Sequence, residues 1–336
     1  MNMTNKLDNF FNSYFAENNL DCLAVAAANA GEMVYEFYKS NAEKSEYSRF
    51  DECTKLDIGS LAQIYIGIII IRLIEEGKIT ADDLVKEYIP EFKYDNVRII
   101  HLLTHTSGLF EDKQIDLTKI KSEKELFEKV YALPRHEVEP GSQYLYCGFG
   151  YTILMDIIQR TEKNDIETIA DDIIYRPLGL KRTSFVSADE NHYGITIMPD
   201  NAGNVINLAK VPTVGGSCAY SVPTELLKTG NLFLNYCKGR GNGILSKVGF
   251  DFALSESFCS RDILRTPLFY VKKNNMYTPF ADLSAEGTFG IFGNTGCALS
   301  IDPKNDVSIV IATNSMEFNR NSSNSKKIIN KIMSCF

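Results

Sequence analysis

The chain has 336 residues, 44% hydrophobic and 11% aromatic, enough to build one large core or a core shared by two lobes. Its formal net charge of −8 is spread along the sequence with no Lys/Arg stripe to track a phosphate backbone, so no nucleic-acid partner is expected. Eight cysteines stand singly, without C-x-x-C or a nearby His, so neither a metal nor a cofactor is expected, and free thiols are favoured over disulfides.

In chain order, Met1 to Phe15 lacks the basic and apolar regions of a signal peptide, which points to the cytoplasm. Leu7, Phe10, Phe11, Tyr14 and Phe15 recur at helical spacing and predict an amphipathic helix over 5–18. Leu23 to Asn29 and Met33 to Tyr38 read as strands of a hairpin turned at Ala30-Gly31-Glu32. The apolar stretch Leu61 to Ile74 is shorter than the roughly 20 residues a spanning helix needs. Gln63 and Arg72 also interrupt it, so it predicts a buried helix over 61–77 and no membrane partner. Thr80-Ala-Asp-Asp83 looks like the capping start of another helix.

Helical patterns continue over 123–132, 148–160 and 165–175, separated at Pro134, Pro140-Gly141 and, after the last, Pro177-Leu-Gly179. Short strands return after about residue 205, ending in a hairpin of Ala298 to Ile301 and Val307 to Ala312 before a helix over 324–334. The expected organisation is a discontinuous α/β lobe of residues 1–85 and 205–336 with a mainly helical lobe, 86–204, inserted into it. The cleft between such lobes is where a small-molecule or peptide ligand is expected.

Asp57-Ile-Gly-Ser60 precedes the apolar helix, and a set of segments follows it in order. They are Glu76-Gly-Lys-Ile-Thr80 with Tyr88-Ile-Pro-Glu-Phe92, then His101-Leu-Leu-Thr-His-Thr-Ser-Gly-Leu109, and Pro140-Gly141 leading to Tyr146. Tyr175-Arg-Pro-Leu-Gly-Leu180, Gly215-Gly216 before Tyr220, and Ile301-Asp-Pro303 with Ala312-Thr-Asn314 complete it. Together these resemble the serine β-lactamase and penicillin-binding-protein superfamily, above all its class C-like members, from residue 22 to 314. The resemblance implies an antiparallel sheet flanked by helices with the inserted helical lobe, and a nucleophilic serine at Ser60 attacking an acyl carbon.

The same resemblance exposes three departures. In S-x-x-K a lysine one turn after the serine helps remove its proton, and here that position is Gln63, a neutral amide that cannot accept a proton near neutral pH. In Y-x-N the tyrosine exchanges protons with nucleophile and leaving group. Here Tyr146-Cys147-Gly148 keeps the tyrosine and loses the asparagine. Without a neighbouring cation that tyrosine keeps the ordinary pKa of about 10. The K-T-G or H-x-G position falls on Ile291-Phe292-Gly293, or on Asn294-Thr295-Gly296 in an alternative register, and neither supplies a positive charge.

Ser60 and Tyr146 are thus the catalytic candidates, with Gly148, Ile291 and Gly293 as candidate substrate-binding positions. His101 and His105 share a helical spacing that tempts a metal or catalytic reading, but in this family their segment is structural. Cys147 is a weaker nucleophile candidate. The glycines at 287, 290, 293 and 296 fit a closely approached strand better than a phosphate cradle. The reading that follows is a catalytically impaired family member with a retained ligand cleft. Its rivals are an active esterase, amidase or peptidase using Ser60 with an unrecognised base, and an interaction protein with a vestigial cleft.

Overall fold

A computed structural model describes residues 3–41, 50–110, 115–185, 197–199, 205–207, 213–216, 219–241, 243–273 and 279–336. The strands are β1 (Cys22–Asn29), β2 (Glu32–Ser40), β3 (Leu56–Asp57), β4 (Ile197–Pro199), β5 (Val205–Asn207) and β6 (Tyr220–Ser221), then β7 (Phe258–Cys259), β8 (Leu264–Arg265), β9 (Tyr270–Val271), β10 (Phe289–Phe292), β11 (Ala298–Asp302) and β12 (Val307–Ala312). The helices are α1 (Met3–Glu17), α2 (Ala62–Glu75), α3 (Val85–Tyr88), α4 (Ile99–Leu103), α5 (Glu123–Tyr131) and α6 (Phe149–Glu162), then α7 (Ile166–Ala170), α8 (Arg176–Leu178), α9 (Pro223–Cys237), α10 (Lys247–Leu254), α11 (Met316–Arg320) and α12 (Ser323–Met333).

Both ends of the chain enter one sheet. Among the described residues its order is β2-β1-β12-β11-β10-β9-β8-β7, antiparallel at each pairing. The hairpin β1–β2 turns in two residues, with Ala30 (φ 53°) and Gly31 (φ 85°) both left-handed and Asn29 paired to Glu32, as a type I′ turn requires.

The near-continuous apolar run of β1 has a physical cause, since both faces of the sheet are covered. Ala24, Ala26 and Ala28 point into the larger core with α2 and α9, and their small side chains let the helices approach. Leu23, Val25 and Ala27 point the other way, into a second core closed by Leu7 and Phe11 of α1 and Ile328, Ile329 and Ile332 of α12.

Helix α2 is apolar all round, with Ile64, Ile66, Ile68, Ile69, Ile70 and Ile71 at most 1% exposed. It is a core helix, as its length required, and no described helix is long and apolar enough to cross a membrane. The helix expected from Thr80 instead starts at Val85. Asp83 accepts the Thr80 N–H and hydroxyl, which closes a separate turn first. The 165–175 pattern is likewise broken into α7, a widened turn over Asp171–Tyr175, and α8, which stops at left-handed Gly179.

Candidate active site

Ser60 sits on a 3₁₀ turn, Gly59–Leu61, that leads directly into α2. Asp57 holds this turn by accepting the Gly59 N–H at 2.8 Å. Three residues on, Gln63 lies on the first turn of α2, 1% exposed. Tyr146 reaches the pair from the loop before α6, and its hydroxyl lies 2.8 Å from Ser60 Oγ. Ser60 is 8% exposed and Tyr146 36%, so the pair opens to solvent through the tyrosine.

Gln63 donates from Nε2 to Tyr146 Oη at 2.9 Å and to the Gly216 carbonyl at 3.3 Å. A carbonyl only accepts, so Gly216 fixes which end of the amide is nitrogen. Gln63 Oε1 must then face His105 Nε2, 3.1 Å away, and accept its proton. That tautomer leaves His105 Nδ1 as an acceptor for the Cys147 N–H at 3.3 Å. Burial first, and the positive charge of Arg265 second, push the His105 pKa well below its ordinary value, so the ring is neutral. The donors therefore run one way, from Cys147 N–H through His105 and Gln63 to Tyr146, and between Tyr146 and Ser60 either hydroxyl can donate to the other.

His105 is held in this role by its backbone, left-handed at φ 55°, and by tilted ring contacts at 4.4 Å to Tyr146 and 5.3 Å to Tyr151. Packing alone does not describe it. The sequence carried no sign of this, because the family lysine at position 63 gives the imidazole no amide to polarise.

Arg265 is the second residue that sequence reasoning missed. It is 0% exposed, and its guanidinium lies 4.5 Å from the ring of Tyr270, its cross-strand partner. It donates to the Leu103 carbonyl at 3.3 Å, while its Nε and one Nη have no partner. The hairpin that carries it docks on α2, where Leu268 fills the space left by Gly67, one turn beyond Gln63. A short isolated strand in an uncharacteristic segment gave no motif by which to find it.

On the other wall, a Cβ added at Gly293 would sit 3.3 Å from both the Ile58 carbonyl oxygen and the Ser60 nitrogen. A Cβ at Gly296 would instead meet Thr313 and Ser315. Gly293 is thus the glycine that packs beside Ser60, and Thr295 of the alternative register packs on Gly59 next to it. Ile291 is buried, 2% exposed, and Gly148 caps α6 with its carbonyl against Gly216. The N–H groups of Gly293 and Gly296 are bonded to the Cys297 and Gly293 carbonyls, so neither is a spare donor for an oxyanion. The described cysteines are free, with Cys147 buried, and Cys218 lies outside the described residues. No cluster of metal-ligating side chains occurs among the described residues.

A serine at a helix start, a tyrosine on its hydroxyl and a glycine strand against its nitrogen thus meet in one place of a β-lactamase/transpeptidase-like fold. The Beta-lactamase family model matches residues 7–330, and the chain belongs to that family. It is 28% identical to a protein of Salmonella agona (strain SL483) provisionally named a D-alanyl-D-alanine carboxypeptidase, with 78% of this chain and 69% of that one covered. Among solved structures it resembles EstCE1, a hydrolase with promiscuous acyltransferase activity, at TM-score 0.82 and 18% identity over 98% of each chain. A class C β-lactamase follows at TM-score 0.79 and 18% identity, covering 99% of this chain and 96% of that one. At such identities the two structures speak for the fold alone.

Proposed function

We propose that the protein takes a carbonyl ligand, an ester or a peptide, at Ser60 and acylates slowly, as a catalytically impaired serine hydrolase. The observation that carries this is the Ser60–Tyr146 contact of 2.8 Å with a neutral amide, Gln63, in the place of the activating lysine. The nucleophile and its proton partner are in reach of one another, while the group that would ionise them is replaced by a hydrogen-bond donor. Removing members of such a unit in another serine hydrolase costs on the order of 10⁴ to 10⁶ in turnover. The free thiols of the described cysteines support a reducing compartment, in line with a cytoplasmic protein.

The test is labelling by a fluorophosphonate together with turnover of p-nitrophenyl acetate. Slow labelling at Ser60 that disappears in Ser60→Ala supports the reading. Turnover near that of an ordinary enzyme, about 10 per second, would select the fully active hydrolase instead, and equal labelling of Ser60→Ala would remove Ser60 from the chemistry.

A further inference from the structure

The turn that carries Ser60 is held by a second set of contacts, apart from those of Tyr146 and Gln63. Residues 293–297, which link β10 to β11, meet it at three successive places. The Cys297 thiol lies 3.5 Å from the Asp57 carbonyl oxygen. Thr295 sits so close over Gly59 that a Cβ added there would come within 2.7 Å of its hydroxyl oxygen. Gly293 packs against the Ser60 nitrogen. The link closes on itself through the Gly293 N–H on the Cys297 carbonyl at 2.8 Å and the Gly296 N–H on the Gly293 carbonyl at 3.2 Å.

The same two carbonyls are held from outside by one side chain. Asn319, on α11, donates from Nδ2 to the Gly293 carbonyl at 2.7 Å and to the Cys297 carbonyl at 3.0 Å. Carbonyls only accept, so this end of the amide is nitrogen, and its oxygen accepts the hydroxyl of Ser325 on α12 at 2.5 Å. Ser325 is 1% exposed, which anchors the amide to the interior. Both N–H groups of Asn319 are thus used at the two ends of the link that lies on the nucleophile turn.

We propose that Asn319 is a positioning residue for Ser60: by tying the two ends of the 293–297 link together it keeps that link pressed on the nucleophile turn, and so fixes the direction from which Oγ meets an acyl carbon. The proposal deepens the reading of Ser60 given above and rests on it. Asn319 acts through the Gly293 and Cys297 carbonyls. Its leverage comes from geometry, since displacing reacting atoms by about 1 Å through a change away from the chemistry can cost on the order of 100-fold in rate.

The experiment measures acylation of Ser60 by p-nitrophenyl acetate, read as release of p-nitrophenolate, in the full chain and in Asn319→Ala, Asn319→Asp, Ser325→Ala and Asn324→Ala, each well below its melting temperature. Asn319 is half-buried, so water can take up the carbonyls freed in Asn319→Ala and the fold should persist. The limiting acylation rate is expected to fall about 10- to 100-fold in that variant, while the half-saturating concentration changes less than about threefold. Asn319→Asp keeps the shape and the acceptor for Ser325 but cannot donate to the carbonyls, and should lose at least as much. Ser325→Ala keeps both donors and only unlocks the amide, so its loss should be smaller than that of Asn319→Ala.

Asn324→Ala is the control. It removes the bond from Asn324 Nδ2 of α12 to the Phe318 carbonyl of α11 at 2.9 Å without touching the link, so it should lower the melting temperature and leave the limiting rate unchanged. A limiting rate in folded Asn319→Ala within about twofold of the native one would overturn the proposal. So would a loss in Asn324→Ala equal to that in Asn319→Ala, because the amide would then matter only as part of the helix. The underlying site reading fails by a different result, namely acylation that survives in Ser60→Ala.

Discussion

The amide of Gln63 has three polar neighbours, and each constrains one of its atoms: Gly216 O and Tyr146 Oη take the nitrogen, and His105 Nε2 gives its proton to the oxygen. Substituting the lysine of S-x-x-K into this setting replaces an acceptor facing His105 by a donor, in a position 1% exposed and within reach of the Arg265 charge. His105 can answer it only by changing tautomer, with Nδ1–H donated to the Cys147 carbonyl 3.2 Å away, and the buried ammonium itself remains without a counter-charge among the described residues. Gln63→Lys is therefore expected to lower the melting temperature and to raise acylation by p-nitrophenyl acetate by less than about tenfold, since Gly148 and Ile291 leave the rest of the machinery unchanged. Efficient acylation by that single variant would show that those two positions are not further losses. At this scale the sequence disclosed Ser60, Gln63 and Tyr146 because each falls on a catalytic motif of the family it resembles, although Tyr146 meets Ser60 across 86 residues. It concealed what His105 and Arg265 do, because neither falls on such a motif and their contacts, His105 to Gln63 over 42 residues and Arg265 to Leu103 over 162, appear only in the fold.

Among the elements, those with a complete amphipathic or alternating pattern were legible, and those whose limits are set by a side chain closing a turn were not. The patterns of α1, α5 and α6 matched the observed helices to within two residues, whereas Thr80 and the 165–175 stretch misled because Asp83 and the widened turn at Asp171–Tyr175 intervene. Helix α12 belongs to the first kind. Its Ile328, Ile329, Ile332 and Met333 cover the second core, each at most 8% exposed. Burying a side chain of this size stabilises by roughly 1.5 to 3 kcal/mol, so the four together approach the whole stability of an ordinary domain, about 5 to 15 kcal/mol. A chain ended at Asn321 should accordingly lose its cooperative thermal transition and become insoluble, although the residues around Ser60 are intact. Retention of a melting temperature within a few degrees of the full chain would show that α12 is an accessory to the sheet rather than a part of its core.

At the level of the whole molecule, the strand and helix signals at both ends implied a sheet built from both termini, and β1 indeed pairs with β12 along six residues, Ala24 to Asn29. What composition could not disclose is how the interior handles charge. Asp57 is buried beside the Ser60 turn, with Oδ1 on the Gly59 N–H and Oδ2 without a partner, near Cys297, whose thiol burial pushes to about 12. Burial, opposed by the Gly59 hydrogen bond, raises the Asp57 pKa from 3.8 to about 7. Between those two values the folded chain holds a proton that the unfolded chain has released, so the contribution of Asp57 to stability is full below the lower value and falls as pH rises toward the upper one. Three pKa units correspond to about 4 kcal/mol as a ceiling, and relaxation of the site reduces this to about 1 to 3 kcal/mol. Asp57→Asn keeps an acceptor for Gly59 and cannot ionise. Urea denaturation from acid to mildly alkaline pH should thus show the native protein losing stability relative to Asp57→Asn as pH rises through that interval, with the difference constant above it. Parallel stability curves for the two proteins across the interval would mean that Asp57 ionises as readily in the fold as in the open chain, and that the turn carrying Ser60 is wetter than its burial indicates.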